Sequence, residues 1–347
     1  GILFDTTWKA ELSSTDEKIE LRSEGELFRV FIIDRESPQA VVRGLSELTG
    51  TMPMVPRWAL GYQQCRFSYT PDSRVIEIAD TLRYKRIPCD AIWMDIDYMD
   101  GYRIFTFNPQ GFPDPKAVNR DLHLRGFHSV WMIDPGAKAE TGYSVYDSGT
   151  ANDVWVKTVD GKEYNGDAWP GKVAWPDFTD PKVCQWWGGL YKDFMANGID
   201  GIWNDMNEPA IFYTPEGVCD VKEAMREFID KDESVDDVWG IRDMVVDLAN
   251  NAKDYASMYH NENGKMVRHD QVHNLFGYNM TRAAGEALRE ICPEKRCLLF
   301  SRSSYIGMHR YGGIWTGDNK SWWSHILLNL KMLPSLNMCG FLYTGAD

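Results

Sequence analysis

The chain has 347 residues, of which 25% are charged and 44% hydrophobic, as is usual for a globular protein. Lys and Arg total 37 against 51 Asp and Glu, and the resulting net charge of −14 argues against binding to nucleic acid or to an anionic membrane surface. Fourteen Trp, 16 Tyr and 15 Phe exclude a disordered chain, and the sequence lacks the apolar run of about 18 residues that a membrane-spanning helix needs.

The first 50 residues predict short strands followed by one helix. Residues 1–35 contain alternating apolar stretches separated by polar turns, as is typical of β-strands. Residues 38–48 have the apolar spacing of a helix, which we expect to end at Gly50.

From about residue 57, apolar runs typical of strands alternate with amphipathic helices. The predicted strands cover residues 58–62, 91–94, 127–133, 199–204, 298–301 and 338–343. The predicted helices are one with Asp72 as its N-cap, one over 182–196 and two near 279–291 and 320–333. This alternation predicts parallel strands joined by right-handed crossovers. Residues 137–180 and 210–272 interrupt the pattern, and we interpret both as insertions.

A polar side chain lies at or just after the end of each apolar run. These residues are Gln63 or Arg66, Asp95, Asp134, Asp205, Arg302 and Asp347. Polar groups gathered at the carboxyl ends of parallel strands are typical of an α/β (β/α)₈ barrel, of which about six of the eight strand–helix units are present. A doubly wound sheet would usually carry a glycine-rich phosphate-binding turn, which the sequence lacks.

Two aspartates are candidate catalytic groups. Asp205 ends a buried strand and could act as an oriented nucleophile, or it could simply cap the next turn. Asp318 lies in a loop rich in Trp and Gly, with Trp322 and Trp323 beyond it, and aromatic rings beside a carboxyl favour its protonated form. Such a pair of carboxyl groups is what glycoside hydrolysis requires.

Several blocks of this sequence resemble glycoside hydrolase family 31, the α-glucosidase family. The blocks are Gln64-Cys65-Arg66-Phe67-Ser68-Tyr69, Trp93-Met94-Asp95-Ile96-Asp97-Tyr98-Met99-Asp100, Gln110-Gly111-Phe112-Pro113-Asp114-Pro115, Trp203-Asn204-Asp205-Met206-Asn207-Glu208, His273-Asn274-Leu275-Phe276-Gly277, Arg302-Ser303 and Gly317-Asp318-Asn319. Because they occur in the family's order from one end of the chain to the other, the resemblance is far more specific than a single motif.

The resemblance implies a role for each matching residue. Asp205 matches the nucleophile and Asp318 the general acid/base of a retaining, exo-acting α-glucosidase that acts on short α-linked glucosides. The residues that match sugar-binding positions are Asp95, Ile96, Arg302, Trp203, Trp315, Trp169, Phe67 and Asp347. Residues 1–37 would be the tail of an N-terminal β domain, and 38–347 a catalytic barrel incomplete at its C-terminus. We therefore expect an isolated polypeptide of residues 1–347 to be inactive.

Other readings of the sequence stay open. An α-xylosidase or α-glucosyltransferase of the same family would use the same motifs, and a non-catalytic glycan-binding subunit would keep the pocket without turnover. We expect no metal or organic cofactor, although His269 and His273 are spaced four apart, as two metal ligands on one helix face would be. The seven cysteines include no Cys-x-x-Cys, which argues against a disulfide framework. Assembly into a homo-oligomer is left open.

Overall fold

The computed structural model describes residues 1–226 and 234–347. The strands are β1 (Ile2–Asp5), β2 (Ala10–Ser14), β3 (Ile19–Ser23), β4 (Arg29–Ile32), β5 (Gln63–Gln64), β6 (Ala91–Met94), β7 (His128–Ile133), β8 (Ala137–Lys138), β9 (Asn165–Ala168), β10 (Gly171–Ala174), β11 (Gly201–Asn204), β12 (Tyr259–Glu262), β13 (Lys265–Arg268), β14 (Leu298–Ser301), β15 (Gly313–Trp315) and β16 (Thr344–Gly345). The helices are α1 (Pro38–Thr49), α2 (Asp72–Tyr84), α3 (Pro115–Leu124), α4 (Ser144–Ala151), α5 (Pro181–Met195), α6 (Pro215–Arg226), α7 (Val235–Val246), α8 (Ala252–Ser257), α9 (His269–Ile291) and α10 (Trp323–Met338).

The largest sheet is parallel and follows chain order. Within the described residues it holds seven strands in the order β5, β6, β7, β11, β14, β15, β16. A doubly wound sheet would reverse this order at a switch point, whereas a barrel does not. The sheet also curls so that its two edges approach each other. Gln63 of the first strand donates a hydrogen bond to the hydroxyl of Tyr343, beside the last strand, at 2.8 Å. The α/β barrel predicted from the sequence is confirmed.

The barrel strands are apolar because helices cover them. Every residue of β6, β11 and β14 is buried. Outside the sheet, α5 and α9 pack side by side. The helix predicted over residues 182–196 is α5, and it begins with Asp180 as its N-cap and Pro181 in its first turn. Its buried residues include Val183, Trp187 and Tyr191.

Several predicted boundaries were wrong. Residues 58–62 were expected to form a strand, but the segment Arg57–Leu60 is a short 3₁₀ helix that follows Pro56. Residues 338–343 were expected to form the last strand, but α10 runs through Met338 and the strand is Thr344–Gly345. Both runs are apolar throughout, and such runs do not distinguish a strand from a buried helix. Six units were counted because β15 is only three residues long and begins with a glycine. Asp72 is the first residue of α2 and not its N-cap, which is Pro71.

The two interruptions of the barrel pattern have structure of their own. The first contributes α4 and an antiparallel sheet of β8, β10 and β9, and the described part of the second contributes α6, α7, α8 and the β12–β13 hairpin. The hairpin touches the first insertion through a bridge between Tyr259 and Lys157. Strands β1 to β4 form two antiparallel pairs, and their assignment to a separate β domain remains a prediction.

All seven cysteines lie among the described residues and are free thiols. No helix within residues 1–226 and 234–347 combines the length and the apolar character needed to span a membrane.

Candidate active site

Four polar residues meet at the carboxyl edge of the barrel sheet, each the first residue after its strand. Asp95 follows β6, Asp134 follows β7, Asp205 follows β11 and Arg302 follows β14. Backbone hydrogen bonds extend the pairing beyond the strands, because the amide of Asp205 donates to Ile133 and that of Arg302 donates to Asn204. These side chains therefore start from one rigid edge, as the sequence predicts.

Asp205 is a buried carboxyl held by two donors. Its Oδ1 accepts a hydrogen bond from the amide of Met206 at 2.8 Å and lies 2.9 Å from Nη1 of Arg302. Burial raises the pKa of Asp205 to about 6, although Arg302 and the Met206 amide oppose that effect, while Asp318 and Glu208 reinforce it. Met206 has a φ of 55°, a left-handed conformation that is uncommon outside glycine and turns the chain just after this carboxyl.

Arg302 binds a second carboxylate, that of Glu208, which the sequence did not mark as a site residue. Its Nε and Nη2 donate to the two carboxylate oxygens of Glu208 at 2.9 and 2.8 Å, in a bidentate pair. One guanidinium thus holds Glu208 and Asp205 together, and these contacts keep the pKa of Arg302 above its usual value despite burial. Glu208 lies three residues after Asp205, in the same block of the sequence. A second carboxylate so close to Asp205 was the one sequence feature that could have suggested a partner for Arg302.

Two further carboxyl groups border this pair. Burial raises the pKa of Asp95 to about 7, and the charges of Asp205, Asp97 and Asp318 add to that effect. The amide of Ile96 donates to Asp95 at 2.7 Å, so the predicted neighbour Ile96 fixes this carboxyl through its backbone, and its own side chain is buried. Asp134 is also buried, and burial raises its pKa to about 8.

Asp318 and Asp347 reach the site from loops. Asp318 follows Gly317, whose φ of 86° suits glycine, and its charge raises the pKa of Asp205, of Asp95 and of Asp347. Burial is the larger cause of the raised pKa of Asp347, whose amide donates to Asn319. The five carboxyl groups Asp95, Asp134, Asp205, Asp318 and Asp347 therefore belong to one electrostatic cluster with Arg302.

The predicted aromatic enclosure of Asp318 was wrong. In the described part of the chain Asp318 is exposed, and Trp322 and Trp323 are 57% and 87% exposed. The ring of Trp322 instead faces Lys320, whose Nζ lies 4.6 Å from the ring centroid, and the edge of His325.

The predicted aromatic residues differ in their surroundings. Trp203 and Trp315 are buried and pack edge to face with centroids 5.5 Å apart. The indole nitrogen of Trp203 is buried and has no hydrogen-bond partner among the described residues. Trp169 is 36% exposed and packs its ring against Phe212, whereas Phe67 is 66% exposed. Two of these rings are therefore buried, and two have exposed faces.

A row of histidines lies beside Glu208. From the sequence, two of its members, His269 and His273, were expected to be surface or supporting groups and not metal ligands, but His269 is fully buried. Oδ1 of Asp177 contacts Nδ1 of His260 at 2.7 Å, Nε2 of His260 contacts Nδ1 of His269 at 2.8 Å, and Nε2 of His269 contacts Nδ1 of His273 at 2.8 Å. Burial and the two flanking imidazoles lower the pKa of His269 well below its usual value. His269 and His273 thus use the facing ring nitrogens for a hydrogen bond to each other, which the spacing in sequence could not reveal.

Comparison with known proteins places this chain in a family. Residues 52–347 match the model for the TIM-barrel domain of glycosyl hydrolases family 31. The chain is 59% identical to a family 31 α-glucosidase from Bacteroides thetaiotaomicron of known structure, with a TM-score of 0.79, over all of this chain and 50% of that one. It is 36% identical to an α-glucosidase 2 from Bacillus thermoamyloliquefaciens, over all of this chain and 40% of that protein.

A solved structure with lower sequence identity has a similar TM-score to this chain. It is a family 31 dextranase from Flavobacterium johnsoniae complexed with glucose, 26% identical, with a TM-score of 0.81 over all of this chain and 39% of that one. The chain therefore spans half or less of the length of these relatives.

Proposed function

Because the chain belongs to glycosyl hydrolase family 31, we propose that it forms the catalytic barrel of a retaining, exo-acting α-glucosidase that releases terminal α-linked glucose from short oligosaccharides. The observation that carries the proposal is the pairing of Asp205 with Arg302 at 2.9 Å at the end of β11. The charge of Asp318 also raises the pKa of Asp205. A buried, oriented carboxylate facing a more exposed carboxyl is the arrangement that two-step glycoside hydrolysis uses.

The proposed reaction has two displacements. In the first, a carboxylate oxygen of Asp205 bonds to the anomeric carbon while the glycosidic C–O bond breaks and Asp318 gives its proton to the leaving oxygen. In the second, Asp318 takes a proton from water, the water oxygen bonds to the anomeric carbon, and the ester bond to Asp205 breaks. Two inversions leave the α configuration unchanged. The mechanism predicts carboxyl groups about 5–5.5 Å apart in the working enzyme.

The neighbouring residues would bind one terminal sugar. Asp95 would accept hydrogen bonds from its outer hydroxyls, oriented by the amide of Ile96, while Arg302 would donate to the sugar and stabilise the charge of Asp205. The rings of Trp203 and Trp315 would form the apolar floor.

The entrance would be shaped by the remaining predicted residues. The exposed faces of Trp169 and Phe67 would contact the incoming saccharide, and Asp347 would lie at the rim beside Asp318. A pocket closed around one sugar would release single glucose units, which is the basis for the exo-acting assignment.

The test uses the full-length protein with an aryl α-glucoside and separates the two aspartates by azide rescue. Asp205→Ala with azide should give a β-glucosyl azide, because azide replaces the nucleophile in one inversion. Asp318→Ala with azide should give an α-glucosyl azide, because azide then intercepts the covalent intermediate. Asp193→Asn, on the exposed face of α5, is the matched control and should retain wild-type turnover.

Further outcomes separate the alternatives. Glucose appearing first as the β anomer would contradict retention, and unchanged turnover in Asp205→Ala would overturn the assignment of the nucleophile. A preference for α-xylosides, transfer products formed from concentrated maltose, or binding without turnover would identify an α-xylosidase, a glucosyltransferase or a glycan-binding subunit instead.

A further inference from the structure

Two histidines and an aspartate, side chains of the kinds that bind metal ions, meet at the other end of the barrel from the candidate active site. His128 is the first residue of β7, Asp200 immediately precedes β11, and β7 and β11 are neighbours in the sheet. His123, in the last turn of α3, extends toward the same carboxylate. The candidate active site lies at the carboxyl ends of these strands, so this cluster is separate from it.

The ligand atoms of the cluster already converge. Nε2 of His123 lies 2.7 Å from Oδ2 of Asp200, and Nδ1 of His128 lies 3.3 Å from Oδ1 of Asp200. One nitrogen or oxygen from each of the three residues lies within 4.8 Å of the other two. Nδ1 of His128 is buried, and its 3.3 Å contact with Asp200 does not have hydrogen-bond geometry. This nitrogen therefore has no hydrogen-bond partner among the described residues.

These spacings suit a small divalent ion. Ligand atoms bound at about 2.1 Å in a tetrahedron lie about 3.4 Å apart, which is close to the present separation between His128 and Asp200. Nε2 of His123 would have to move away from Asp200 by about 0.7 Å to reach this spacing, which the partial exposure of His123 allows. Two imidazoles and one carboxylate are a donor set that zinc and related transition metals use, with water in the open position.

The surroundings fix the ligands in place. The ring of Trp58 stacks on His128 with centroids 4.7 Å apart and an angle of 16°. The amide of Ser129 donates to Oδ2 of Asp200 at 3.1 Å and orients the carboxylate. Contacts of this kind around a metal ligand raise metal affinity by holding the ligand in its binding orientation.

We propose that His123, His128 and Asp200 form a binding site for one divalent transition-metal ion of the zinc class, which ties α3 to the starts of β7 and β11. The metal joins three segments of the barrel in the folded state and has no comparable site in the unfolded chain. It therefore stabilises the fold without entering the reaction at the opposite edge.

The test measures binding of Zn²⁺ alone to the full-length protein without a histidine tag. The thiols are first alkylated, because Cys65, Cys219 and Cys339 are exposed and could bind zinc themselves. Calorimetry should give one Zn²⁺ per chain lost on chelation, and the apparent Tm should rise with Zn²⁺ concentration.

The variants distinguish this site from adventitious binding. His123→Ala and His128→Ala should each weaken Zn²⁺ affinity at least about tenfold, and Asp200→Asn, which keeps an acceptor for the Ser129 amide, should do the same. His325→Ala, outside the cluster, should bind Zn²⁺ like the wild type. Binding that is absent, or equal in all four variants, overturns the proposal and leaves an ion-paired histidine cluster.

Discussion

Arg302 and Asp205 form a 2.9 Å contact between a guanidinium nitrogen and a carboxylate oxygen, and the same guanidinium binds both oxygens of Glu208. Burying the carboxyl of Asp205 without a cation would favour its neutral form, which cannot act as a nucleophile. Arg302 offsets part of that cost, and the pKa of Asp205 settles at about 6. Arg302 thereby keeps a buried carboxyl ionised at neutral pH.

The pH dependence of catalysis follows from this pKa. Because Asp205 must be ionised to attack, kcat/KM for an aryl α-glucoside should fall as the pH drops through about 6, where the carboxylate takes up a proton. Asp205 and Asp95 interact, so the measured value belongs to the cluster and not to one residue. A profile measured from pH 4 to 8 that stays flat down to pH 5 would contradict the buried site.

Removing the cation should slow the reaction and shift this profile. Arg302→Gln is expected to lower kcat/KM by about 10²–10³, the usual effect of losing one strong electrostatic donor. The acidic limb should also move to higher pH, because Arg302 lowers the pKa of Asp205.

Two variants control this experiment. Arg302→Lys keeps a charge but not the bidentate geometry, and should lower the rate while shifting the limb less. Arg120→Gln on the surface should change neither quantity. An Arg302→Gln enzyme with the wild-type limb would mean that Arg302 does not control the charge of Asp205.

The sequence predicted the strand-end residues of the site but not their partners. Asp95, Asp205 and Arg302 could be placed because each directly follows an apolar run, and the ends of parallel strands meet at one edge. The pairing of Arg302 with Glu208 spans 94 residues and depends on how two loops fold back. No local pattern carries that information.

The features that the sequence did not predict also depend on contacts between distant parts of the chain. Strand β15 has three residues and is defined by pairing with β14 and β16, so it has no periodicity of its own. The contact of Asp177 with His260 spans 83 residues and depends on the β12–β13 hairpin packing beside the first insertion. The exposure of Trp322 likewise depends on where α10 begins.

The histidine row should contribute to stability. His269→Ala removes a fully buried ring and leaves the facing nitrogens of His260 and His273 without their partner. Unsatisfied buried polar atoms and a cavity together predict a loss of about 2–4 kcal/mol in the free energy of unfolding, measured by denaturant titration. His325→Ala, at a less buried position, should change the midpoint little.

The same variant should show a dependence on pH. The folded-state pKa of His269 and that of His273 lie below the ordinary value, mainly because of burial, so the unfolded chain binds their protons more readily. Their contribution is therefore present above about pH 6.5 and is lost as the pH falls below that value. The gap in Tm between wild type and His269→Ala should narrow from pH 7.5 to pH 5.5. A constant gap would show that His269 acts through packing alone.

Gly277 is the point where α9 touches both loops of the candidate site. A Cβ added there would lie 2.8 Å from the carbonyl oxygen of Asn207 and 2.9 Å from that of Ser303. Gly277→Ala must therefore push apart the segments that carry Asp205 and Arg302. We expect a loss of about 1–3 kcal/mol in stability and, because displacement by about 1 Å can cost 10²-fold, at least a tenfold fall in kcat.

The matched control for Gly277 is Gly189, on the exposed side of α5. A Cβ at Gly189 would meet no other atom of the described residues within 4 Å. Gly189→Ala should leave kcat unchanged and raise stability by up to about 1 kcal/mol, since alanine favours a helix more than glycine does. Denaturant titration and turnover of both variants give the comparison. If Gly277→Ala matched Gly189→Ala in both measurements, α9 would not set the distance between the two loops.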